Sequence, residues 1–169
     1  MRRLLSGIGA LLVAAALAAG SGANYQSTSA NSGNIIKAGV VSITSTSAGT
    51  ALLDVTALAP GKAIFDTVDI TNSGDLPADI TLKSSSIVDT PASPALSAKV
   101  DLKIEDTTDN VVEYDGKLGS FSTKAIGTLA VGVKHTFKFT VSMPDGGLGA
   151  EDAYQGGRTS LDLTWTAQG

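Results

Sequence analysis

The chain holds one histidine, His135, and no cysteine, and those two counts bound its chemistry. Thiol catalysis and zinc–thiolate sites both need cysteine. A helical zinc-protease motif needs two histidines four residues apart with a glutamate beside the first. A Ser-His-Asp triad would have to draw on His135, and no Gly-x-Ser-x-Gly elbow accompanies it. His135 sits within an alternating strand pattern, so it reads first as a core or strand-end imidazole and second as a metal ligand. The acidic residues gather as Asp66/Asp69, Glu105/Asp106/Asp109 and Glu151/Asp152. Calcium takes about six to eight oxygens, and no group has the D-x-[DN]-x-[DN]-G spacing of a calcium loop. The carboxylates fall on separate strands and loops, without the aromatic platform expected beside a glycosidase pair, and read as solvated faces and turns. The residues therefore assign no catalytic residue, no cofactor and no metal.

The elements that carry these side chains read as strands. The clearest organising unit spans residues 58–83. Pro60-Gly61 suits a tight turn, because proline presets φ and glycine accepts a positive one. Over 64–71, Ile64, Val68 and Ile70 share one face, while Phe65, Thr67, Asp69 and Thr71 share the other. That is the period of a half-buried strand. Residues 72–75 turn the chain, Pro77 stands at the entry of a second strand, and Ile80 and Leu82 begin it. Residues 99–105 alternate likewise, with Val100, Leu102 and Ile104 inward. The longest alternation, 133–143, lines up Val133, His135, Phe137, Phe139, Val141 and Met143. A last strand, from about 158 to 167, carries Leu161, Leu163 and Trp165.

Other stretches read as connections or short strands. Ile35-Ile36 and 40–43 start the ordered part, and 52–55 is a short strand. Ser84-Ser85-Ser86 and residues 91–94 mark a long loop, 95–98 a single helical turn, and 106–110 a turn. Val111, Val112 and Tyr114 form a strand ending at Asp115-Gly116, a strong hairpin dipeptide. Short strands, frequent turn signals and one-sided alternation predict an all-β fold, an antiparallel β-sandwich.

Length and composition agree. The chain has 169 residues, 43% of them hydrophobic but only 5% aromatic, with 19 glycines, which favours strands and turns over helices. Arg2 and Arg3, an apolar run over 4–19 and the small-x-small site Ser21-Gly22-Ala23 read as a secretory signal peptide, residues 1–23. The run is short of the ~20 residues of a membrane span. Removing Arg2 and Arg3 with the leader turns 12 Lys+Arg into 10 against 16 Asp+Glu, a balance of −6. An acidic chain with few aromatics is a poor partner for nucleic acid. The C-terminus, Thr164 to Gly169, carries no hydrophobic tail, so no stable membrane anchor is expected. Residues 24–34 are small and polar and read as a flexible N-terminal arm, ahead of a single sandwich domain over 35–169.

Several blocks, in order, resemble the TasA/camelysin family of secreted bacterial matrix-fibre proteins. They are Lys37-Ala38-Gly39-Val40-Val41, Leu58-Ala59-Pro60-Gly61 and Asn72-Ser73-Gly74, followed by Tyr114-Asp115-Gly116-Lys117-Leu118 and Tyr154-Gln155-Gly156. Leu161-Asp162-Leu163-Thr164-Trp165 closes the series, and the resemblance covers nearly all of the chain after the leader. It implies a jelly-roll sandwich, export with cleavage of the leader, often by a dedicated signal peptidase, and assembly into extracellular fibres. In such fibres the N-terminal segment of one subunit completes the sheet of the next, a form of strand addition. Where the family opens with aromatic-x-Asp, this chain has Tyr25-Gln26-Ser27.

The expected function is that of a secreted, non-enzymatic structural subunit of a matrix or biofilm fibre. Its partner is itself, with a companion matrix protein as a further expected partner. Asn24, Tyr25, Gln26 and Ser27, with Ile35 and Ile36 just beyond, form the candidate donor arm. Two alternatives stand beside it. One is a secreted camelysin-type zinc peptidase using His135 and nearby carboxylates, since some relatives carry that label. The other is a surface- or carbohydrate-binding module using the Asp/Asn loops at 106–110 and 144–152.

Overall fold

The alternating runs become strands. In the computed structural model, residues 26–30, 41, 43–46 and 58–169 are described, the first five as backbone only. Among the described residues, nine strands follow in order. They are β1 (Gln26–Ala30), β2 (Ile43–Ser45), β3 (Ala63–Asn72), β4 (Ala78–Thr90), β5 (Asp101–Asp106), β6 (Val111–Lys117), β7 (Thr123–Leu129), β8 (Lys134–Ser142) and β9 (Arg158–Gln168). One helical turn, α1 (Leu96–Lys99), lies between β4 and β5. The strands pair antiparallel in two sheets, ordered β1-β9-β4-β7 and β2-β3-β8-β5-β6. This is an all-β sandwich. No helix among the described residues is long and apolar enough to cross a membrane.

The core lies between the sheets and is built from the faces that the alternation picks out. Val68 and Ile70 of β3, Ile80 and Leu82 of β4, Leu102 and Ile104 of β5 and Phe137 and Phe139 of β8 are buried. Trp165 of β9 meets Phe137 at 4.8 Å between ring centroids and Phe139 edge-on at 6.4 Å. Each such side chain contributes about 1.5–3 kcal/mol on burial. On the opposite face of β3, Phe65 stays exposed, with the Lys138 ammonium 4.5 Å from its ring centroid.

One buried amide joins three strand ends. The Asn72 side chain donates from Nδ2 to the carbonyls of Leu76 and Leu129, at 2.8 and 2.9 Å, and accepts the Gly74 N–H at 3.0 Å. It thereby ties the end of β3 to the turn before β4 and to the end of β7. Gly61 follows Pro60 with φ +70°, the conformation that the Pro-Gly turn requires.

Three expectations need correction. Ser84-Ser85-Ser86 is not a loop, because β4 continues to Thr90. A register shift between Ser85 and Val88 absorbs the extra residues at a bulge, where Ser86 has φ +55°. Asp115-Gly116 is not a hairpin, because β6 runs through it, with Asp115 opposite Lys103 and Gly116 opposite Leu102. Glycine serves there by leaving room: a Cβ on Gly116 would stand 3.0 Å from the Tyr114 hydroxyl. That hydroxyl donates to the Lys117 carbonyl, and the chain turns one step later in a 3-10 helix at Leu118–Ser120. Finally, Gln26–Ala30 are not a free arm. They run along β9 of their own chain, from Gln26 opposite Gln168 to Ala30 opposite Thr164. Backbone pairing needs no apolar side chain, so composition alone gives no sign of it. The leader at 1–23 and the short strand expected at 52–55 lie outside the described residues.

Candidate functional site

Two alternations end in polar residues on the core-facing side. Through β5 the inward series, opened by Val100 just before the strand and carried on by Leu102 and Ile104, continues to Asp106. In β8 the inward series Phe139, Phe137 continues to His135. Antiparallel pairing sets Asp106 opposite Phe137, which brings the carboxylate and the imidazole together at one end of the core. His135 Nδ1 lies 2.6 Å from Asp106 Oδ2, and the imidazole stacks on Phe137 with centroids 6.3 Å apart.

The turn after β5 adds a third group. The other oxygen of Asp106 accepts the N–H groups of Thr108 and Asp109, at 2.8 and 3.3 Å, which closes the turn. Thr107 donates to the Thr136 carbonyl through both its N–H and its hydroxyl, and the Thr136 N–H donates to the Thr108 hydroxyl. The turn is thus fastened to β8 next to His135. It holds Asp109 Oδ2 at 3.9 Å from His135 Nδ1. Metal-ligating atoms of Asp106, Asp109 and His135 all lie within 4.8 Å of one another. The Asp106 side chain is 4% exposed, that of His135 15% and that of Asp109 61%, so Asp106 is the most enclosed of the three and Asp109 the freest to adjust.

The cluster stands at a groove of about 460 Å³. The groove opens between β6, the last strand of one sheet, and β7, the last strand of the other. Val111 and Glu113 line one wall, and Lys124 to Leu129 line the other. Glu113 and Lys124 bridge it as an ion pair at 3.2 Å.

The remaining acidic groups come apart or are used within the fold. Asp66 and Asp69 are three residues apart on β3, so they project from opposite faces. The Lys134 ammonium, 2.8 Å from Asp69, holds that carboxyl below its usual value, with a hydrogen bond from the Thr136 hydroxyl adding to the effect. Glu105 points away from Asp106 and pairs with Lys103 at 2.8 Å. Glu151 accepts from Lys99 at 2.6 Å and from the Gly146 N–H at 2.9 Å, fastening the 144–152 loop to α1.

Of the candidate donor residues, Gln26 and Ser27 lie in β1, opposite Gln168 and Ala167 of β9. Asn24, Tyr25, Ile35 and Ile36 lie outside the described residues. The carboxylates that lie beside His135 are those of Asp106 and Asp109. The 133–143 alternation already marks His135 as inward, and extending the 99–105 alternation by one position would have marked Asp106 as well. The β5–β8 pairing that joins them is not readable from either run alone.

No protein-family model matches the chain, and the search of curated proteins finds no match.

Proposed function

We propose that this protein is a secreted structural subunit that assembles with copies of itself into an extracellular fibre by exchange of its N-terminal strand. The observation that carries the proposal is the placement of β1. It is a five-residue edge strand that pairs with β9. Residues 31–40 separate it from Val41, and ten residues reach up to about 33–36 Å when extended. A neighbour's β1 could take the same edge of β9 in the same register.

Magnitudes show what exchange requires. Ordering five residues costs about 5–10 kcal/mol, at 1–2 per residue. About five backbone hydrogen bonds return roughly 2.5–7.5 kcal/mol. The two nearly cancel, so Gln26–Ala30, whose sequence is Gln-Ser-Thr-Ser-Ala, is held loosely on any one copy. A short tether gives it an effective concentration of order millimolar on its own edge. Stable exchange therefore needs apolar anchors, each contributing about 1.5–3 kcal/mol when buried. In this proposal Tyr25, Ile35 and Ile36 supply them.

The finer fold name belongs to the same reading. Without β2, the sheet orders β1-β9-β4-β7 and β3-β8-β5-β6 are two four-stranded layers, which supports reading the sandwich as a jelly roll. That agrees with the fold implied by the family-like blocks from Leu58 to Trp165.

Negative-stain microscopy of the protein starting at Asn24, beside one starting at Ile35, tests the proposal. Fibres from the first and none from the second are expected. Fibres from both would move the contact away from β1, and fibres from neither, even at millimolar protein, would remove self-assembly as the function.

A further inference from the structure

The polar end of the core carries an inference independent of fibre assembly. We propose that His135, Asp106 and Asp109 form a binding site for one divalent transition-metal ion, with an open coordination position facing the groove between β6 and β7. Three donors converge from three separate segments: the end of β5, the turn that follows it, and β8. They are one imidazole nitrogen and two carboxylate oxygens.

Bond lengths of about 2.0–2.2 Å place the donors of a tetrahedral ion roughly 3.3–3.6 Å apart. The donors here are 2.6 Å apart for Asp106–His135, 3.9 Å for Asp109–His135, and no more than 4.8 Å for any pair. An ion entering between them would widen the first distance, now a hydrogen bond, and draw Asp109 inward by about 1 Å. The exposed Asp109 side chain can make that movement without disturbing the core. Asp106 stays in place, because its second oxygen is held by the N–H groups of Thr108 and Asp109.

The donor set also selects the class of ion. An imidazole with two carboxylates suits zinc, cobalt, nickel or manganese. Calcium would need about six to eight oxygens, more than these side chains offer. The groove side is lined by Glu113, whose carboxylate is taken up by Lys124. The protein thus supplies three ligands, and water completes the coordination, the arrangement of an open rather than a closed site.

The test is a titration of the chelator-treated protein with Zn²⁺ by isothermal calorimetry, with Co²⁺ absorption as a direct reading of ligand geometry. Saturable binding of one ion per chain is expected, together with a rise in melting temperature on adding Zn²⁺. His135→Gln and Asp109→Asn should each weaken binding by at least about tenfold, as loss of a direct ligand must do no less than loss of its supporting partners. Asp66→Asn, at an exposed position of β3, should leave binding unchanged. Asp109 is exposed, so Asp109→Asn decides the matter even if His135→Gln fails to fold. Absence of saturable binding, or one-to-one binding that both ligand variants retain at full strength, overturns the site. Tighter binding of Ca²⁺ than of Zn²⁺ overturns the assigned class.

Discussion

Asn72→Ala removes three hydrogen bonds from a fully buried position and leaves their partners behind. The Leu129 carbonyl is the costliest, since its bond to Asn72 is buried. An orphaned buried acceptor costs about 1–3 kcal/mol. The Leu76 carbonyl and the Gly74 N–H are part-buried and can recover some hydration, so each loses about 0.5–1.5 kcal/mol. The sum, about 2–6 kcal/mol, is large against the ~5–15 kcal/mol of a typical domain. It corresponds to a fall in melting temperature of order 10 °C. Urea unfolding should show a lower midpoint with an unchanged slope, because the surface exposed on unfolding is the same. Asn72→Asp is the sharper variant. It keeps the acceptor for Gly74 but sets a carboxylate against two carbonyls, so its loss should be at least as large at neutral pH and partly relieved in acid. A loss below about 1 kcal/mol for Asn72→Ala would refute the claim that this amide holds β3, β4 and β7 together.

Glu151 gives the molecule a pH dependence. The Lys99 ammonium holds its carboxyl below the ordinary value, against the opposing effect of burial and with help from the Gly146 N–H. The folded value is lowered, so the stabilisation is present above the unfolded value and is lost as pH falls through about 4.5 and on through the folded value. Urea midpoints measured from neutral pH down to about pH 3 should fall in that window, and Glu151→Gln should flatten the fall. Among the described residues, the indole N–H of Trp165 is buried without a hydrogen-bond partner. Trp165→Phe removes that unmet donor, which offsets the lost volume, and should cost less than about 2 kcal/mol in thermal unfolding; Trp165→Ala should cost about 3–5.

The legible parts of the fold were those where local pattern and tertiary burial agree. Strands β3, β5, β8 and β9 each alternate with one apolar face, and each buries that face. The illegible parts were those where a long-range contact overrides a local signal. Ser84 reads as loop, yet its hydroxyl donates to the Phe121 carbonyl at 2.6 Å and draws the chain into β4. Asp115-Gly116 reads as a turn, yet pairing with β5 carries β6 through it. For β1, the sequence shows only small polar residues, while its partner lies at the far end of the chain. The Asp106–His135 contact is of the same kind. Each residue occupies an inward position in a legible strand, but only the non-sequential β5–β8 pairing makes them neighbours.

The pairing of the first strand with the last also fixes when the molecule can be completed. Gln26 and Gln168 stand 142 positions apart in the sequence, and their pairing waits for β9 to dock. Strands β3 to β8 can pair with one another before it does. In that stage the sheet β2-β3-β8-β5-β6 has all its strands, while the other lacks β9, the strand that joins β1 to β4, and β1 is unclaimed. Whether β1 closes on its own molecule is then a race between the docking of its own β9 and a meeting with a neighbour. On the proposed secreted reading, crowding of copies where they emerge and fold, rather than their later concentration, would set the outcome.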